Sequence, residues 1–240
     1  MTCSVIVPNT QYSLPTTQYS LNTYYPSMLQ ETLTPLLALH YFPCLEYFSC
    51  FTRPGEVLLE AHEYFIKQSY RNRCYILGPH QVEKLTVPVI GGAKKVLVRD
   101  IRVDNRQSWQ RQHWRSLQSC YGKSPFFEHY APRLAPVFQQ KWEYLWDLNE
   151  KVLTLCLDLL QLPATPSPTH AYIQQTGTGL YDLRQAIRPN LPFTARDLYS
   201  SVSYTQLFGA KFVANLSVLD VLFCEGPAAA TVIRQSAKQK

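Results

Sequence analysis

Pro35-Leu36-Leu37-Ala38-Leu39-His40-Tyr41-Phe42-Pro43 opens the part of the chain that can build a core. An unbroken apolar run of this length, ended by a proline, reads as a buried strand from Leu36 to Tyr41. Cys44 to Phe51 follows with Leu45, Phe48 and Phe51 at helical spacing, so a short helix is expected there. Glu56 to Glu60 reads as a second strand, Arg73 to Leu77 as a third and Leu85 to Ile90 as a fourth, with a turn at Gly78-Pro79. Lys95 to Val103 alternates apolar and polar side chains, the period of a half-exposed strand.

Downstream the period changes from two to 3.6. Asn105 is placed to cap a helix in which Trp109, His113, Leu117 and Cys120 or Tyr121 share a face, and Gly122 ends it. Ser124-Pro125 opens another, with Phe127, Tyr130 and Leu134 at its core spacing. Leu145 to Leu162 is the longest amphipathic stretch, stopped by Pro163. Residues 163–196 hold five prolines and two glycines and read as loop, long enough to suggest function. Two short helices, Leu216 to Phe223 and Ala228 to Arg234, close the pattern around Gly226-Pro227. The expectation is one mixed α/β domain, β-rich in its first third and mostly helical afterwards.

Upstream of Pro35 the chain is of another kind. Residues 1–26 contain no charged side chain, and Thr10-Gln11-Tyr12-Ser13-Leu14-Pro15-Thr16 is followed by Thr17-Gln18-Tyr19-Ser20-Leu21-Asn22-Thr23. Two copies of a heptapeptide are too few for a repeat fold, and Pro15 breaks any helical seam. Residues 1–27 are expected to be a disordered extension or sequence upstream of a start at Met28, leaving a folded domain over 28–240.

Of the 240 residues 46% are hydrophobic and 17% charged, a core-forming balance. No apolar run approaches the roughly 20 residues that cross a bilayer, and no secretory leader is apparent, so the expected location is the cytoplasm. Seven cysteines without a C-x-x-C pair read as unpaired structural thiols in a reducing compartment. The six histidines lack metal-ligand spacing and no glycine-rich phosphate loop is present, so no metal or cofactor is expected.

The net charge of +6 is unevenly spread. Ile66 to Lys123 carries twelve cations against three anions, a net +9, which leaves the remainder at −3. Cations on sheet edges guard against aggregation. Clustered in a cleft, they also focus field on a phosphorylated or nucleotide-linked small molecule. The aromatic pattern and the missing signatures argue against nucleic acid. Arg71 and Arg73 flank Asn72, and strand alternation would place both guanidiniums on one side as a bidentate anion clamp, beside Tyr70 as a wall. The competing expectation is ion pairing with Glu60 or Glu63. His62 and His113 are the candidate general bases, although a histidine on the face of Trp109 and Leu117 is more often a satisfied core residue. Asp220 sits in an apolar helix and requires a cation or a helix N-terminus as partner, a structural role set against its candidacy, with Arg71, Asn72, Arg73 and Tyr70, as a substrate-binding residue. Cys120 has nothing around it that would activate a thiolate.

Five stretches taken together resemble the WbqC-like protein family of bacteria. They are Tyr41-Phe42-Pro43 with Tyr47-Phe48; Gln68 to Arg73; Leu85-Thr86-Val87-Pro88-Val89; His113-Trp114-Arg115 leading to Tyr121 through Phe127; and Asn215 to Phe223 followed by Glu225-Gly226-Pro227. The resemblance implies a role in O-antigen or other lipopolysaccharide biosynthesis, and a transferase moving an aminoacyl (glycyl) group to an amino sugar. Many members carry His-Gln-Pro-Asn before Tyr-Phe-Pro, whereas this chain has Leu37-Ala38-Leu39-His40. A chain that keeps the fold and the basic cleft but only binds or scaffolds is the alternative.

Overall fold

The computed structural model describes Met1 and residues 33–91, 95–174 and 179–238 of the chain. The expected N-terminal extension, Met1 aside, lies outside the described residues. A four-stranded parallel sheet is assembled from β1 (Thr34–Leu37), β2 (Gly55–Leu59), β7 (Ala164–Pro168) and β8 (Leu180–Asp182), in the order β7-β2-β1-β8. The unbroken apolar run after Pro35 suits a central strand of such a sheet, covered on both faces. Leu36 and Leu37 are buried, as are Val57 and Leu59 on β2. The β1–β2 connection holds α1 (Leu45–Phe48) and a 3-10 turn over Ser49–Phe51.

Both outer strands come from the stretch expected to be loop. β7 reads Ala-Thr-Pro-Ser-Pro, and proline cannot donate to a ladder, so the strand is confined to a sheet edge. β8, just past Gly179, is too short to leave a periodic signal. The long crossover from β2 to β7 carries most of the rest. β3 (Arg73–Leu77) and β4 (Val82–Thr86) form a hairpin, and β5 (Val89–Ile90) pairs with β6 (Arg102–Val103). The alternating run Lys95–Val103 is not one strand. A 3-10 turn at Val98–Asp100 interrupts it, which resets the buried positions to Val98, Ile101 and Val103.

Helices α2 (Trp109–Tyr121), α3 (Phe127–Gln139) and α4 (Leu145–Leu160) follow, then α5 (Val218–Glu225) and α6 (Ala229–Ser236). α2 starts later than expected, with Ser108 rather than Asn105 at its N-cap position, while the Asn105 side-chain amide donates to the Trp142 carbonyl at 2.7 Å. Their apolar faces join the sheet in one core that includes the fully buried Tyr41, Tyr47, Phe48, Leu148 and Phe223. The six described cysteines are free. Among the described residues no helix is long and apolar enough to cross a membrane.

Candidate functional site at the strand ends

Because the four strands run the same way, the residues leaving them gather along one edge of the sheet. Glu60 leaves β2, Thr169 leaves β7 and Arg184 leaves β8. Glu60 is fully buried and accepts from the Thr169 hydroxyl (2.8 Å), the His62 amide (3.0 Å), the Ile173 amide (3.1 Å) and Arg184 Nη1 (2.9 Å). The other face of Arg184 forks onto Asp182, through Nε at 3.0 Å and Nη2 at 2.7 Å. Burial raises the Asp182 carboxyl, but the Arg184 hydrogen bonds and charge outweigh it and hold the group below its usual range.

Glu63 forms the second pair. Arg71 donates to it from Nε (2.8 Å) and Nη2 (2.7 Å), and both side chains are buried. Burial pushes the Glu63 carboxyl upward, and Arg71 only partly reverses this. Arg71 is therefore an internal ion-pair partner, not one arm of an open clamp. The alternation argument fails because Tyr70 to Asn72 is a turn and β3 begins only at Arg73. Asn72 is committed to the hairpin, donating from Nδ2 to the Val87 carbonyl at 2.9 Å. Arg73 is half-buried. Tyr70 packs as a wall against His40, with ring centroids 5.5 Å apart.

A cavity of about 470 Å³ lies beside this network, lined by His62, Leu97, Arg99, Asp100, Tyr144, Trp146 and Asp147. Three backbone segments bring these residues together. Val98 N donates to the Glu63 carbonyl and Phe65 N to Val96, while Leu145 N donates to Ile101 and Val103 N to Glu143. His62 Nε2 is 3.1 Å from the Thr169 carbonyl. Only an N–H can satisfy a carbonyl, so the neutral ring carries its proton on Nε2 and presents Nδ1 as the basic nitrogen.

His113 is elsewhere. It faces the core from α2, its Nδ1 3.0 Å from the Tyr41 hydroxyl, with a further hydrogen bond to the Thr86 backbone. Burial lowers its pKa to about 4. This is the satisfied core histidine, and it does not line the cavity with His62. Asp220 stands in the first turn of α5, one of the two expected settings, but among the described residues no cation forms an ion pair with its carboxylate. The Tyr121 hydroxyl (2.7 Å), the Tyr204 hydroxyl (2.6 Å) and Gln206 Nε2 (2.9 Å) donate to it instead. Burial pushes the Cys120 thiol up to about 12, which removes it as a nucleophile at neutral pH. Among the described residues no group of His, Cys, Asp or Glu is placed to hold a metal ion.

Sequence reasoning missed Arg184, Asp182 and Thr169, which lie in the proline-rich stretch, and the cavity residues Arg99, Asp100, Tyr144, Trp146 and Asp147. In the sequence Glu60 stood as the last residue of the second strand and as one of two possible ion-pair partners for Arg71 and Arg73. The fold and these side chains define an α/β protein with a parallel sheet and a cluster of buried ion pairs at its strand ends.

The chain belongs to the WbqC-like protein family, whose model matches residues 39–188. That span includes both ion pairs and the His62 cavity but not Asp220. The chain is also similar to an uncharacterized protein, Rv1507c, of Mycobacterium tuberculosis. Identity is 24% over 220 residues, covering 81% of this chain and 94% of the relative. No solved structure matches the chain.

Proposed function

We propose that the chain is a transferase of bacterial surface-polysaccharide biosynthesis that acylates the amine of a phosphorylated or nucleotide-linked amino sugar in the His62 cavity. The carrying observation is the lining of that cavity: one histidine of defined tautomer, two carboxylates, one guanidinium and two aromatic rings. Trp146 and Tyr144 supply flat apolar surface for a pyranose ring. Asp100 and Asp147 accept from sugar hydroxyls and from the ammonium, and Arg99 takes over from Arg71 as the cation facing phosphate. His62 Nδ1 removes a proton from the ammonium. The freed amine nitrogen then attacks the carbonyl of an activated aminoacyl ester and a C–N bond forms; the ester C–O bond breaks, and its oxygen leaves with the electron pair and takes up the second proton that the nitrogen sheds.

Thermal-shift screening of the full chain against nucleotide-linked amino sugars, the matching neutral sugars and sugar phosphates tests this reading. Stabilisation by the amino sugar is expected, with affinity about tenfold weaker in Arg99→Ala and in Asp147→Ala, the loss of one charge-assisted bond each. Stabilisation that survives the double variant would sink the assignment of the cavity. With an aminoacyl donor present, His62→Asn should still bind sugar but lose turnover. Unchanged turnover would remove His62 as the base.

A further inference from the structure

β2 and β7 run parallel, and the last pair in their register is Leu59 with Pro168. One residue further on, Glu60 leaves β2 and Thr169 leaves β7. The Thr169 amide donates to the Leu59 carbonyl at 2.9 Å. Its hydroxyl donates to Glu60 Oε1 at 2.8 Å and accepts from the Ala61 amide at 3.1 Å. Its carbonyl lies 3.1 Å from His62 Nε2. Leu59, Glu60, Ala61 and His62, the four consecutive residues at and beyond the end of β2, thus each hydrogen-bond to Thr169. Between them they use its amide, its hydroxyl and its carbonyl.

The directions of these bonds are fixed by the chemistry of the partners. The Glu60 carboxylate, paired with Arg184, can only accept, so the Thr169 hydroxyl proton points at it and a lone pair is left for the Ala61 amide. Glu60 and Ala61 are fully buried and Thr169 is 6% exposed, so water does not compete for these groups. Glu60 cannot turn aside. Its Oε1 also accepts from the His62 amide, while its Oε2 takes Arg184 and the Ile173 amide.

His62 is therefore held at two points, its main chain by Glu60 and its ring by Thr169. Of this cluster the imidazole is the part that lines the cavity. A histidine ring can turn over and can carry its proton on either nitrogen, so a base needs an orienting partner to present the same atom each time. The Thr169 carbonyl is that partner. It does its work only while the end of β7 stays in place, since a contact stretched beyond about 3.5 Å is no longer a hydrogen bond.

We propose that Thr169 is the positioning residue of His62. Its hydroxyl locks the end of β7 onto Glu60 and Ala61, and its carbonyl thereby keeps the imidazole in the Nε2–H form with Nδ1 as the basic nitrogen. The use of this arrangement in acyl transfer rests on the reading of His62 as the base. The positioning itself belongs to the free chain and is read without substrate. Should His62→Asn keep its turnover while the tautomer is as expected, the transferase reading fails and the positioning stands.

Long-range proton–nitrogen correlation spectra of the isotope-labelled full chain test it, recorded at about pH 8 where an ordinary imidazole is neutral. They report which ring nitrogen bears the proton, and His62→Asn identifies the signals. The unaltered chain is expected to show His62 as Nε2–H. Thr169→Val keeps the branched shape but leaves the Ala61 amide and Glu60 each one partner short. It should move the tautomer ratio about tenfold towards Nδ1–H, the equivalent of one hydrogen bond. Thr169→Ser, which keeps the hydroxyl, should restore the ratio. Ser236→Ala deletes a buried hydroxyl bonded to the Val232 carbonyl on α6 and should leave it unchanged. An Nδ1–H or mixed ring in the unaltered chain would overturn the proposal. So would an unchanged ratio in Thr169→Val, or an equal shift in Ser236→Ala, which would mark a general loosening. If Thr169→Val does not fold, the unaltered chain and Thr169→Ser decide: Nε2–H in both supports the assignment, and any other form in either overturns it.

Discussion

Asp220 and the strand-end acids Glu60 and Glu63 are all buried carboxylates, yet they are held by opposite means. Asp220 meets only neutral donors, two phenols and an amide, contributed by α2 and the 204–206 segment, and every hydrogen bond closes locally. Tyr121 extends the strut to β3, accepting from the Leu77 amide at 3.0 Å. Glu60 and Glu63 instead meet guanidiniums, and their neighbourhood ends in unmatched atoms on His40 and Tyr47. A network without spare hydrogen-bonding capacity ties elements together. One built on paired charges depends on both partners, since removing either leaves a charge buried.

Breaking one pair should show the contrast most strongly. Arg71→Met strands Glu63 as a buried charge and is expected to cost roughly 3–5 kcal/mol in urea denaturation. Arg71→Met with Glu63→Leu should recover much of that loss, because no charge is then left inside. A double variant as unstable as the single one would mean that Arg71 acts through packing alone. The pH dependence of stability comes next. His113 has a folded pKa of about 4 against an unfolded value near 6.5, so between these values the unfolded chain binds more protons. Its contribution is complete above pH 6.5 and is lost as pH falls towards 4, by about 3 kcal/mol, and His40 adds in the same direction. Denaturation midpoints measured from pH 7 down to pH 4, with His113→Gln as comparison, check this; a flat profile contradicts it. The smallest effect is expected at Asp220→Asn. Burial raises the Asp220 carboxyl, so its charged form weighs against the fold at neutral pH and this penalty fades as pH falls. The amide keeps an acceptor, the hydroxyls can turn, and the change should stay within about 1 kcal/mol. A loss as large as that of Arg71→Met would erase the distinction between the two networks.

The interior of the fold was legible because apolar period and burial coincide. Leu36 to Leu39 announced the central strand, and the faces of α2, α3 and α4 followed the 3.6-residue spacing. The edges were not. Pro166 and Pro168 argue against a strand everywhere except at an outer position, and outer position is a property of topology that no local window contains. With β7 and β8 unread, Arg184 and Thr169 had no reason to meet Glu60. The ion-pair alternative for Arg71 was open in the sequence and is the arrangement found, because a turn rather than a strand carries that residue. His40 looked only like a departure from a family pattern; in the fold it is a buried ring beside Tyr47.

The parallel pairing of β2 with β7 also sets the order in which the molecule can come together. Everything from Glu60 to Pro163 must be threaded between two strands that finally lie side by side, a separation that slows folding and favours intermediates. During synthesis Glu60 waits for Thr169 and then for Arg184, so the acidic end of β2 stays hydrated until the last third of the chain emerges. Throughout that wait β2 offers a bare hydrogen-bonding edge, and the strand that eventually covers it carries two prolines that discourage further strands from adding on.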